Sequence, residues 1–582
     1  MLARIRPLPV LLLVLLSPML APRPAAAQWQ TNGVLVCAAA NDQTLPVAVP
    51  DGAGGVIIAW NDSRNGADSD VYAQHLLASG AADAGWPSNG RGVCVTVGNQ
   101  SDVTIVGDGS GGAIITWDDR RNGTDYNIFA QHVLASGAVD PAWPANGRAL
   151  CTATNQQLFP TIASDQSGGA IVAWHDNRSG TDYDIYAQHV QASGAVDPAW
   201  PANGRLVCAA AHDQFNPVIV GDGAHGAIIA WSDSRSGTSF DIYAQHVQTS
   251  GAVDPAWPAN GRALCNATND QSDAVIVPDG AGGAIVAWDD RRDGISYDVY
   301  AQHVQASGAV DPGWPANGRA LCLAGGDQVL PAITRDAGSG AVVAWDDHRN
   351  GTDFDIYAQH VMASGAVDPG WPADGRGICT STNDQVLVAI VADGGGGGVM
   401  AWSDLRNNAD YDIYADHVQS SGVVDPAWPA QGRALCTSAN DQLAPSIVTD
   451  GAGGAIVTWY DFRSGTNYDI YAQRVVANGS LVAVLPDPVV SFRLHPPQPN
   501  PTRGGATLRL DLPAPERVSI AIFDAAGRAV RVLASGGQLS PGTHPFAWDG
   551  VDDAGMALRT GLYFVRVNAG ARSFTLKLTV LR

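Results

Sequence analysis

The chain has 582 residues and a formal net charge of −23, and its acidic load is almost entirely Asp, with Glu516 the only Glu and Lys577 the only Lys. A surface of that sign repels polyanions, so nucleic acid is excluded as a partner. Scarce long helix-forming side chains beside 66 Gly and 35 Pro argue against coiled coils and membrane-surface helices, and for an all-β protein.

Residues 1–27 combine Arg4 and Arg6, an apolar run and three small residues before Gln28, the pattern of a signal peptide. Beyond them no run of eighteen apolar residues occurs, so no integral membrane segment is expected and the destination is secretion or the outer cell surface.

Residues 28–484 are then tiled by eight related copies. Cys37, Cys94, Cys151, Cys208, Cys265, Cys322, Cys379 and Cys436 lie 57 residues apart. Each is followed six residues later by Gln, then by an Asp opening a D-x-x-x-G turn, then by Trp nine residues beyond that Asp. One copy reads as LFPTIAS, GGAIVAW, YDIYAQHV and RLVCAA separated by Gly-rich turns, the signature of antiparallel hairpins. Four short strands at a fixed period predict a propeller blade. QWQTNGVLVCAA matches only the end of a copy, and the last copy stops at YDIYAQRVVANGS without that piece. The first strand is therefore expected to complete the last sheet and close an eight-bladed β-propeller; two smaller rings or a solenoid are the alternatives. One Cys per copy reads as a buried thiol, although a disulfide between neighbouring copies stays open.

Residues 485–503 are a Pro-rich linker, and residues 504–582 read as the short alternating strands of a small β-sandwich. In this tail PNP at Pro499–Pro501, FDAAGR at Phe523–Arg528, WDG at Trp548–Gly550, DDAG at Asp552–Gly555 and GLYFVRV at Gly561–Val567 stand together. The combination resembles the Ig-like C-terminal sorting domains of type IX secretion substrates and the related domain of flagellar hook-capping proteins. That resemblance implies delivery past the outer membrane by its secretion machinery, and raises removal of the tail. The copies, with W-x-D-x-R followed by DIYAQ, resemble repeats of secreted or surface bacterial proteins, a likeness that supplies no catalytic residue.

Within the copies, the candidate ligand-binding residues are the Asp-x-Arg pairs Asp62/Arg64, Asp119/Arg121, Asp176/Arg178, Asp233/Arg235, Asp290/Arg292, Asp347/Arg349, Asp404/Arg406 and Asp461/Arg463. Residues two apart on a strand share a side, so each pair forms either a structural clasp or part of a recognition face. Topology places them on the rim that also carries the channel mouth. His75, His132, His189, His246, His303, His360 and His417 share a third-strand position, where Arg474 stands in the eighth copy. Equivalents in adjacent blades should lie roughly 15 Å apart, too far to share a metal ion, and Arg474 suggests a basic surface role. No cofactor is expected, with calcium in Asp-rich turns such as those of Asp51, Asp68/Asp70, Asp182/Asp184 and Asp290/Asp298 the one left open. The Trp before Pro in each long loop either covers a blade edge or forms an exposed sugar platform.

No nucleophile elbow or catalytic triad occurs, and departures between copies (Asn127, Gln156, His175, His225, Asp416, Tyr460, Phe462) form no acid/base constellation. Nearly identical blades argue against one distinct catalytic site. The expectation is a monomer, secreted or surface-displayed, more a non-enzymatic binding or adhesion protein for a glycan or surface protein than an enzyme. The alternative is an extracellular polysaccharide hydrolase or lyase working at the channel mouth.

Overall fold

A computed structural model describes residues 29–481 and 493–581, apart from 496, 513–515, 540, 541 and 571. The signal peptide expected at 1–27 and the linker residues 485–492 lie outside the described residues. The first region forms eight four-stranded antiparallel sheets in succession, each running from an innermost to an outermost strand. In the third blade these are Gln157–Ser164, Ala170–Asp176, Asp184–Val190 and Arg205–Cys208. Innermost strands of adjacent blades pack on one another around a central channel.

Why the second strand reads as a continuous apolar run follows from its place. AIVAWHD is buried at every position, because both faces of the strand are covered by neighbouring blades, and alternation is expected only where one face meets water. Its Trp174 is fully buried against Gly204, whose φ of +97° suits glycine and where a Cβ would come within 2.7 Å of the indole. The second Trp set is also buried. Trp86, Trp143 and Trp200 are 4–5% exposed, and the Trp143 indole N–H donates to Ala192 O of the next blade at 3.2 Å. These rings seal blade to blade, which removes the sugar-platform alternative.

Val34–Cys37 pairs antiparallel with Asp469–Val475 and completes the eighth sheet. The ring thereby loses the edge that an open array would expose. All eight cysteines are buried and free.

On the face bearing the D-x-x-x-G turns, each histidine is held rather than exposed. His189 Nε2 lies 3.0 Å from Asp165 Oδ2 and Nδ1 2.8 Å from Asp197 Oδ2, so it ties the first hairpin turn to the long loop. Arg474 holds the same turn but links it to the first blade, its guanidinium meeting Asp450 Oδ2 at 2.9 Å and Ala78 O at 3.2 Å. The expected surface role for this position is therefore corrected: the spacing hid two carboxylates, 24 residues before and 8 after the histidine, that the loops bring to one ring.

The tail forms one sheet of Arg493–Leu494, Ala506–Leu512 and Gly542–Trp548, and another of Ala529–Leu539, Glu516–Phe523, Gly561–Ala569 and Arg572–Val580. Leu508, Leu510, Ile520, Ile522, Val565 and Leu578 make its core. Part of the segment read as linker belongs to this sandwich: Arg493 pairs with Asp511, and Gln498 bridges to Thr507. Proline-rich sequence is compatible with such an edge position because the missing N–H faces outward.

Ring closure gives the first prediction. Trp29 is 4% exposed and its indole N–H donates to Ala78 O at 3.0 Å. Trp29→Ala is expected to destabilise the ring by about 3–5 kcal/mol in urea unfolding; a change within about 0.5 kcal/mol, the range of ordinary surface substitutions, would show that closure does not depend on it.

Candidate functional site

The sixteen Asp-x-Arg residues all lie at the end of a second strand and the turn after it, one pair per blade. Asp176 is fully buried. It accepts from the Trp174 indole at 2.8 Å, from Arg178 N and Nε at 2.9 Å each, and from Arg178 Nη2 at 2.5 Å. The same Nη2 reaches Asn203 O at 2.8 Å and Cys151 Sγ of the preceding blade at 3.2 Å, while the guanidinium lies 3.6 Å over the Tyr186 ring. Equivalent bonds recur in every blade, from Asp62/Arg64 to Asp461/Arg463. The carboxylate is spent inside the blade, and about a fifth of the arginine side chain reaches solvent.

The blades differ instead at the channel mouth. Every innermost strand carries a register shift after its second residue, and the third residue takes a left-handed backbone. These residues are Leu45, Asp102, Phe159, Asn216, Asp273, Leu330, Leu387 and Ala444, with φ between +46° and +59°. Such a conformation is costly for non-glycine residues and re-aims the side chain. Six of them, Leu45 through Leu330, line one cavity of about 550 Å³ with Val47, Val103, Pro160, Pro217 and Val275 as its deeper wall. Reading around it from blade 2 to blade 5, the mouth presents acid, aromatic, amide and acid: Asp102, Phe159, Asn216 and Asp273.

Behind this collar stands a second unequal ring, the middle residue of each W-x-D: Asn61, Asp118, His175, Ser232, Asp289, Asp346, Ser403 and Tyr460. Several of these accept the backbone N–H of the next blade's collar residue. Leu387 N donates to Asp346 Oδ2 at 2.8 Å, Leu330 N to Asp289 Oδ2 at 3.3 Å, Ala444 N to Ser403 Oγ at 3.2 Å and Asn216 N to His175 Nδ1 at 3.4 Å. These bonds hold the strained bulges in place. His175 sits between the Phe159, Tyr183 and Phe215 rings at 5.2, 4.9 and 5.3 Å, and burial pushes it down to about 4, so it is a neutral acceptor.

Burial acts oppositely on the carboxyls. Asp118 is pushed up to about 8 by burial and by the neighbouring Asp102. Burial and Asp273 hold Asp289 well above the usual carboxylate range, and burial takes Asp346 to about 7. Buried acids keep their proton because the charged form is poorly solvated, and such shifts mark functional-site candidates. Elsewhere, Asp416 is likewise raised by burial to about 7, and Gln156 accepts Tyr126 N at 3.0 Å as Asp213 accepts Tyr183 N in the next blade. Among the described residues no group of three or more metal-ligating side chains converges.

Residues 498–573 match the FlgD Ig-like domain, and the tail is a sandwich of that kind. No curated protein sequence matches the chain. Similar solved structures include a protein of unknown function from Dyadobacter fermentans, 9% identical, covering 54% of this chain and 93% of its own, with a TM-score of 0.32. A Penicillium chrysogenum alpha-L-arabinanase complexed with arabinobiose is 11% identical over 55% and 93%, with a TM-score of 0.32. A Phanerochaete chrysosporium exo-beta-1,3-galactanase with galactose is 11% identical over 74% and 97%, with a TM-score of 0.26. At these values the likeness carries no argument about this chain. The expectation of a non-enzymatic protein is instead corrected by the chemistry of the channel mouth. The unequal, proton-holding mouth removes that expectation's basis, which was that eight equivalent blades offer no distinct site. The non-enzymatic expectation is withdrawn.

The raised carboxyls make stability depend on pH. Folded Asp118 keeps its proton up to about pH 8, whereas the unfolded chain releases it near about 3.9. Stability therefore falls as pH rises through that window. The melting temperature of Asp118→Asn relative to the native chain is expected to climb between pH 5 and pH 9; a constant difference would assign Asp118 ordinary acidity.

Proposed function

We propose that this protein is an exported glycan-cleaving propeller whose site is the channel mouth. The observation that carries the reading is the order of Asp102, Phe159, Asn216 and Asp273 around one cavity, each re-aimed by a strained bulge. Phe159 is 49% exposed and offers the apolar platform on which a pyranose or furanose ring packs. Asn216 offers donors and an acceptor for hydroxyls, and carboxyls on either flank are what acid–base hydrolysis of a glycosidic bond requires. The Asp-x-Arg rim, with its guanidinium edges, is the outer boundary of the same face and a secondary contact surface.

Export is part of the proposal. The signal-like residues 1–27 and the FlgD-type tail support delivery outside the outer membrane, with the tail as the part that meets the secretion machinery. No helix among the described residues is long and apolar enough to cross a membrane.

Incubation of the purified protein with a panel of neutral oligosaccharides is expected to release new reducing ends. Asp273→Asn should lower the rate by about 100-fold or more, the usual loss when a general acid or base is removed, without loss of folding, because Asp273 is exposed. Unchanged cleavage in both Asp102→Asn and Asp273→Asn would move the site elsewhere.

A further inference from the structure

Two of the eight blades place a carboxyl in the collar directly against a carboxyl in the ring behind it: Asp102 with Asp118 in blade 2, and Asp273 with Asp289 in blade 5. The blade 2 pair is the tighter. Asp118 is fully buried, its Oδ1 accepts from Ser101 Oγ at 2.6 Å, the Phe159 backbone N–H also faces its carboxyl, and among the described residues its Oδ2 accepts no hydrogen bond of normal geometry. The Asp102 carboxyl is within hydrogen-bonding reach of Asp118 and lines the cavity. Ionising both of two adjoining carboxyls is strongly disfavoured, so at rest one proton belongs to the pair and not to either residue.

Among the described residues the lining of the cavity also carries no Lys, Arg or His, and Asp102 and Asp273 are its only ionisable side chains. A uronate or sulfated unit placed there would meet only negative charge. A lyase acting on uronates would also lack any cation at this lining to offset the substrate carboxylate.

We propose that Asp102 and Asp118 are a proton-sharing pair that protonates the bridging oxygen of an uncharged glycan, Asp102 as the residue touching substrate and Asp118 as the buried store behind it. This rests on the hydrolytic reading above and names its substrate class and its acid. In the step, the pair's proton passes from Asp102 to the glycosidic oxygen as the C–O bond breaks, and water adds to the anomeric carbon. The water's proton goes to Asp273 and from there to solvent, and the pair, now doubly ionised, takes one proton back from solvent. Hydrolysis thus consumes one water and leaves both carboxyl pairs as they began.

Asp118 is a positioning and proton-storing residue, so its test needs more than a rate. The first measurement is a carbonyl titration of the full chain by infrared difference spectroscopy, native against Asp118→Asn. The native spectrum minus that of Asp118→Asn is expected to keep a protonated-carboxyl band at pH 7, the raised Asp289, Asp346 and Asp416 cancelling in the difference, and in an Asp102→Asn background the midpoint of that difference band is expected to fall by about one pH unit or more once the like charge is gone. The second compares neutral oligosaccharides with uronate-containing ones of equal length on the native chain. Cleavage of the neutral set alone is expected, with Asp118→Asn displacing the alkaline limb of the pH profile while leaving KM within about two-fold. A band that titrates below pH 5, or equal cleavage of uronates, overturns the proposal. A pair that titrates as described beside a panel that is never cleaved overturns the donor role and the hydrolytic reading while leaving the shared proton.

Discussion

One carboxylate per blade organises the ring. Buried at the end of the second strand, the Asp176 carboxylate is fully occupied by the Trp174 indole and the Arg178 backbone and guanidinium, and the arginine carries the tie onward to the blade's own loop and the preceding blade's Cys151. Removing one partner from such a cluster leaves an uncompensated charge in a dry site, at a cost of about 3–5 kcal/mol. The cysteine's place follows from the same arrangement. Burial pushes Cys151 up to about 12 despite the nearby guanidinium, so it packs as an uncharged thiol instead of reacting.

Because every blade repeats this clasp on one face and the Asp–His–Asp bridge, or its Arg474 version, on the other, the frame is settled outside the channel mouth. The collar is then free to differ from blade to blade without disturbing blade packing. Strain at four of the eight left-handed residues is compensated from the ring behind, where Asp289, Asp346, Ser403 and His175 accept the backbone N–H groups of Leu330, Leu387, Ala444 and Asn216. Uniform parts hold the fold, and the unequal parts are the ones available for chemistry.

The repeat, the four strands, the ring closed by the first strand and the FlgD-type tail were all legible in the chain. They rest on local periodicity, on glycine-dependent turns such as Gly204 beneath Trp174, and on a copy split between the two ends. The site was harder to read. Asp102, Asp118, Asp273 and Asp289 stand as differences at two positions, the second residue after each Gln and the middle of each W-x-D, and only strand pairing brings those two positions together. In a repeat array, identity marks the scaffold and departure from identity marks the place where blades cease to be equivalent.

Sequence by itself determined that eight blades form and which residues recur in each one, because those residues stand at fixed spacing along the strand and its turn. Only the tertiary structure decided that residues of six different blades face one cavity, that the Asp-x-Arg carboxylates are spent internally, and that Asp118 keeps a proton. Each of those depends on closure of the ring, which sets distances between blades that lie 57 residues or more apart in sequence and removes the water that would otherwise ionise a buried acid.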